Sequence, residues 1–178
     1  MALPSHTMSH YVTTHNSSGE ATFSAKISPS QAEIQTPFGT QNILFTTWNS
    51  PINLSTEADI DQYSKDRSEG LGHKICPENG SAAAIISLPP KAESPFHRTM
   101  TLDVIYILEG SLELHLDSGE KRTLKAGDSV VQRAGMHKWV NVSENDGWAK
   151  MLGFTQPVVD PVEVGGKKLG TEFVMPRQ

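Results

Sequence analysis

The feature that most constrains this chain is a dense run of short alternating segments between residues 97 and 141. VIYIL is β-branched and aromatic, SLELHL alternates apolar with polar residues, DSGE is turn chemistry, and KAGD followed by SVVQ is a second turn feeding a further strand. Side chains alternate across a strand. On that rule His97, Thr99, Thr101, Asp103, Ile105 and Ile107 share one face, while Arg98, Leu102, Val104 and Tyr106 turn toward a second layer or a partner subunit. In the next strand Leu112, Leu114 and Leu116 take the core face, so Glu113 and His115 point outward and His115 is set aside as a ligand. His97 and His137 each open a strand, and closing the strands into a barrel can bring both to one mouth.

The flanking segments continue the theme. TFSAKI, NILFTTWN, SAAAIISLPP and WAKMLGFT read as further strands, the last with Ala149, Met151 and Gly153 on one side and room beside them for a ligand. Residues 55 to 70 change character and start a short helix, with acidic residues in its first turn and Gly70 to stop it. The tail from Gln156 holds two valine-rich fragments around a Gly-Gly-Lys-Lys turn, read as a strap over the barrel or an exchange arm in a dimer. The 178 residues thus divide into an N-terminal arm (1–20), a β-barrel domain (21–155) and the tail (156–178).

Composition narrows the partners. A net charge of −5 with scattered basic residues gives no footprint for nucleic acid or an anionic membrane surface. No apolar run approaches the ~20 residues of a membrane span, and the first residues lack the apolar core of a secretory signal, so a cytoplasmic protein is expected. Cys76 has no second cysteine to pair with and no activating charge in Ile75 or Pro77. His6, His10 and His15 are irregularly spaced among polar residues and read as a solvated stretch rather than a metal tract.

Two motifs carry a family resemblance. His97, Thr99, Asp103 and Gly110 follow the pattern G-x5-H-x-H-x3,4-E-x6-G, and Gly127, Asp128, His137 and Asn141 follow G-x5-P-x-G-x2-H-x3-N. The stretch resembles the core of a small single-domain cupin of the bacterial and fungal subgroup, which implies an all-β, jelly-roll-like cupin barrel with N-terminal and C-terminal extensions. The departures are specific: Thr99 stands for a histidine, Asp103 for a glutamate, Arg133 for a proline, and the Gly127 to His137 interval is one residue short. In such cupins the region of the short helix holds a variable loop or lid.

The candidate site is His97, Asp103 and His137. Two imidazoles and a carboxylate have the composition of a facial triad for a divalent zinc, iron, manganese or nickel ion. The same three side chains also suit a metal-free acid–base site, with His137 titrating near neutral pH beside Met136 and Trp139 and Asp103 orienting an imidazole. Both versions stay open at this point. Around them Arg133, Thr99, Trp139, Asn141 and Met151 are candidate substrate contacts, Arg133 as a clamp for a carboxylate. The resemblance implies a small-molecule substrate. The expected activity is a lyase of the decarboxylase type on a carboxylated aromatic or polyketide-like intermediate of specialised metabolism, against an isomerase or cyclase, a metal-dependent dioxygenase, or a non-catalytic binder. A homodimer is expected from the apolar outward face of Val104 and Tyr106.

Overall fold

The computed structural model describes residues 8–31, 33–72 and 74–174. In chain order its elements are β1 (Thr13–His15), β2 (Ala21–Phe23), β3 (Ile34–Thr36), β4 (Gly39–Thr47), α1 (Ala58–Glu69), β5 (Ser81–Leu88), β6 (Phe96–Arg98), β7 (Thr101–Glu109) and β8 (Ser111–Leu116). They continue with β9 (Lys121–Lys125), β10 (Ser129–Arg133), β11 (His137–Asn141), β12 (Ala149–Pro157), β13 (Val162–Val164), β14 (Lys167–Leu169) and β15 (Glu172–Val174).

Two antiparallel sheets make the barrel. One has six strands in the order β10-β7-β12-β5-β4-β3, the other five in the order β15-β6-β11-β8-β9. Each sheet turns an apolar face inward, and these faces bury each other because neither can be left in water. Ile105 and Ile107 of the first sheet meet Leu112, Leu114, Leu124 and Trp139 of the second in one buried cluster. This is the jelly-roll-like, mostly β architecture that the alternating segments call for.

Alternation predicts the faces of β7 correctly: Asp103, Ile105 and Ile107 are buried, while Val104, Tyr106 and Leu108 are exposed. With Val131 and Phe154 they form an apolar stripe on the outside of the six-stranded sheet. The expectation differs from the structure at three places. His97 and Asp103 are not on one strand, because the chain leaves the five-stranded sheet after Arg98 and enters the six-stranded sheet at Thr101. The corner is fixed by backbone bonds from Ala134 N–H to Thr101 and from Val158 N–H to Met100, both 3.0 Å. Leu116 is exposed rather than in the core, since it starts the β8–β9 turn, where its N–H donates to the Glu120 carbonyl.

The third difference is α1, none of whose residues lines the cavity between the sheets. It packs against β4, where Ile60 and Tyr63 join Ile43 in a second buried cluster. The Tyr63 hydroxyl donates to the Ile43 carbonyl at 3.0 Å, and the buried Asp66 carboxylate accepts from Thr46 Oγ1 at 2.6 Å and Trp48 Nε1 at 2.7 Å. Those bonds tie the helix down along its length. Of the amino-terminal histidines, His6 lies outside the described residues, His10 sits edge-on to Tyr63, and His15 is exposed on β1.

The tail has order of its own. β13 and β14 form a hairpin through Gly165 and Gly166, both at positive φ, which glycine adopts without steric cost. β15 then pairs with β6 of the same chain, as a strap along the edge of the five-stranded sheet. Among the described residues no helix is long and apolar enough to cross a membrane.

Ile107 is fully buried and Val104 is 41% exposed one alternation away. Ile107→Asp is expected to cost about 4 kcal/mol or more, by burying an unpaired carboxylate, and Val104→Asp under about 1 kcal/mol. Urea denaturation of the two variants checks the assignment of faces. Equal losses would contradict it.

Candidate functional site

Between the sheets lies a cavity of about 250 Å³ whose wall is mostly apolar. Its polar groups come from strands of both sheets. β6 and β11 are antiparallel neighbours with His97 directly opposite His137, which brings the two rings to a centroid distance of 4.3 Å. Each ring is held by a carbonyl two residues back: His97 Nδ1 lies 2.9 Å from the Pro95 oxygen, and His137 Nδ1 lies 2.9 Å from the Gly135 oxygen. A carbonyl only accepts, so Nδ1 carries the hydrogen in both rings and Nε2 keeps a lone pair.

Burial lowers the pKa of both imidazoles. His137, with His97 beside it as a second cause, is pushed down to about 4, and both rings are neutral at pH 7. The expectation that His137 titrates near neutral pH is therefore corrected. Asp103 goes the other way. Burial pushes its carboxyl up to about 6, partly offset by Thr101, and its Oδ1 has no hydrogen-bond partner among the described residues. It enters the cavity from β7, across from Gln132 on β10 and Thr155 on β12, which line the cavity with it.

Of the candidate substrate contacts, Thr99, Trp139 and Met151 line the cavity. Arg133 does not. Alternation along β10 turns Gln132 inward and leaves Arg133 exposed, so the expected carboxylate clamp is outside the wall. Asn141 is corrected too: its amide donates to the carbonyls of Leu88, Pro89 and Gly147 at 2.9–3.0 Å, and its oxygen accepts from the Ser143 N–H at 2.9 Å. With those groups engaged it pins the turn after β11 to the end of β5. Gln132 was legible in the alternation of SVVQR, but Phe173 was not. It arrives from β15, lines the cavity and stacks on His97 with centroids 5.7 Å apart and planes 7° apart.

A metal ion of the kind such barrels hold needs a closed donor set. The two Nε2 lone pairs, oriented by second-layer carbonyls, have the form of half a site. Thr99 replaces a further imidazole, and Asp103 hangs from the opposite sheet. Among the described residues no group of three or more His, Cys, Asp and Glu stands close enough to hold a metal. His97, Asp103 and His137 thus do not fit a three-ligand centre by themselves.

A double-sheet barrel with a histidine pair and an inward carboxyl around a small central cavity is the architecture of a cupin. Residues 84–151 match the family described as "Cupin domain". Over 160 residues the chain is 34% identical to the cupin-domain-containing oxidoreductase fogC of Aspergillus ruber (strain CBS 135680), covering 89% of this chain and 76% of that protein. Over 166 residues it is 36% identical to the phomopsin biosynthesis cluster protein C' of Diaporthe leptostromiformis, covering 92% and 85%. Among solved structures, KdgF from Halomonas sp. aligns over 73% of this chain and 89% of that one, with 17% identity and a TM-score of 0.49. The chain belongs to the cupin-domain family.

The titrating groups make opposite contributions to stability. Asp103 has its folded value above the ordinary 3.8, so the stability present below pH 3.8 is lost as pH rises through about 6. His137 has its folded value below the ordinary 6.5, so stability present above pH 6.5 is lost as pH falls through about 4. Asp103→Asn is expected to stabilise the protein at pH 7.5, by on the order of 1–3 kcal/mol, with the gain shrinking toward pH 4. His137→Gln is expected to lose less stability than the parent between pH 6.5 and 4. Urea midpoints along a pH series measure both, and slopes identical to the parent's would contradict these assignments.

Proposed function

We propose that this cupin is an enzyme that moves a proton, in a lyase or isomerase type of reaction, on a compact small molecule of specialised metabolism. The observation that carries the reading is Asp103: a buried carboxyl raised to about 6, with one oxygen unpartnered, on a side chain that lines a mostly apolar cavity. A base works best when its pKa lies near the operating pH, and burial of Asp103 supports that condition here. The biosynthetic setting is supported by the relative whose name places it in the phomopsin biosynthesis cluster.

In the lyase version the Asp103 carboxylate takes a proton from a substrate carbon. The released C–H electron pair forms a double bond as the bond to a hydroxyl on the neighbouring carbon breaks, and the departing oxygen takes the proton back from Asp103 to leave as water. In the isomerase version the proton returns to a different carbon. His97 and His137, neutral and with free Nε2 atoms, accept hydrogen bonds from the substrate and fix its orientation. Decarboxylation draws less support: of the two cations that could neutralise a carboxylate, a metal lacks a closed set of donors among the described residues, and Arg133 is outside the wall.

Redox chemistry is a second reading, favoured by the oxidoreductase name of the Aspergillus ruber relative. It calls for a metal or an electron acceptor beyond the donors His97, Asp103 and His137 bring together. The test begins by deleting the gene in its host and isolating the compound that accumulates. Incubated with purified protein in deuterium oxide, that compound is expected to react without oxygen uptake, and an isomerised product to carry deuterium at carbon. Asp103→Asn is expected to slow turnover about 10²–10⁴-fold. Oxygen consumed in step with product, together with about one bound metal per chain by plasma mass spectrometry, would replace this reading with the second. No turnover of the compound at all would leave a binding protein.

A further inference from the structure

The hydrogen-bonding character of the cavity is one-sided. His97 and His137 each commit their only N–H to a main-chain carbonyl, so they offer lone pairs alone. Asp103 lines the same wall with a carboxyl whose buried Oδ1 has no hydrogen-bond partner among the described residues. Thr99 and Thr101 bond to each other at 3.0 Å, and the Ser94 hydroxyl is engaged by the Pro95 carbonyl and the Trp139 N–H. Gln41 and Gln132 add amides that can act either way. No lysine or arginine stands in the described wall. The nearest arginine in sequence, Arg98, is turned away from the cavity and ion-paired with Glu172 at 3.2 Å.

The rest of the wall is flat and apolar. Trp139 lies beside the histidine pair, and Phe173 is nearly parallel to His97. The space of about 250 Å³ admits one substituted ring. A carboxylated ligand placed here would set an anion near Asp103 with no cation to offset it, at a steep desolvation cost. A phenol meets the opposite situation: its hydroxyls find acceptors and its ring finds flat walls.

We propose that the cavity takes an uncharged planar ring compound bearing at least two hydroxyl donors, which face the His97–His137 pair and Asp103 while the ring lies against Phe173 and Trp139. This rests on the proton-transfer reading and names its substrate class, with the reacting carbons on a saturated substituent of the ring, and it departs from the carboxylated compound expected from the sequence. Phe173 is in this arrangement a positioning residue supplied by the C-terminal strap.

The experiment compares resorcinol with benzoate, two ligands of similar size, by isothermal calorimetry on the full chain at pH 7.5. Resorcinol is expected to bind at least ten-fold more tightly than benzoate. Asp103→Asn, which removes the negative charge, is expected to narrow that gap by strengthening benzoate. Phe173→Ala is expected to weaken resorcinol several-fold with an unchanged thermal midpoint, since the ring is half-exposed. Benzoate binding as tightly as resorcinol, neither ligand binding at millimolar concentration, or a gap unmoved by Asp103→Asn would each overturn the proposal. These outcomes concern binding alone. A preference for benzoate alongside loss of turnover in Asp103→Asn would sink the ligand class and leave the proton-transfer reading in place.

Discussion

The pairing of β6 with β11, with His97 directly across from His137, is the contact on which the interior of this barrel depends. β6 is only three residues long, and the chain turns from one sheet to the other immediately after it. Its register therefore has to be set by its neighbours. β11 supplies one side and the tail strand β15 the other, so the ring of His97 is held between His137 and Phe173. Slipping β6 by one residue would turn His97 out and Arg98 in, exchanging a neutral acceptor for a cation at the centre of the cavity.

Much of this was legible from alternation alone. The inward face of β7, the outward direction of His115 and the inward direction of Met151 all follow from a period of two. What alternation cannot reach is a change of sheet or a partner distant in sequence. Thr99 and Met100 carry no glycine or proline to announce the corner, yet the chain changes sheets there. The positions matching the family motifs also proved unequal in role. His97 and His137 face the cavity, whereas Asn141 serves three carbonyls of its own scaffold, because a buried amide satisfies main-chain groups before any ligand arrives. Arg133 is a sequence neighbour of the site, and one step of alternation separates it from the cavity.

Asp103 is the place where the fold and the site make opposing demands. A carboxyl held in an apolar interior without a full set of partners destabilises the native state whenever it is ionised, by on the order of 1–3 kcal/mol. The packed cluster beneath it, with Ile105 and Ile107 on the same strand face, offsets that cost. Strain of this kind is characteristic of groups retained for chemistry rather than for folding.

The arrangement of β15 separates two properties that usually travel together. The strap contributes a wall to the cavity but little to the packed cluster between the sheets, and its three residues are exposed. It stays in place through three ladder pairs and through Glu172, the carboxylate that answers the buried guanidinium of Arg98. Changes at Phe173 can therefore reshape what the cavity accepts, while the ladder and Glu172 keep β6 in register and Arg98 paired.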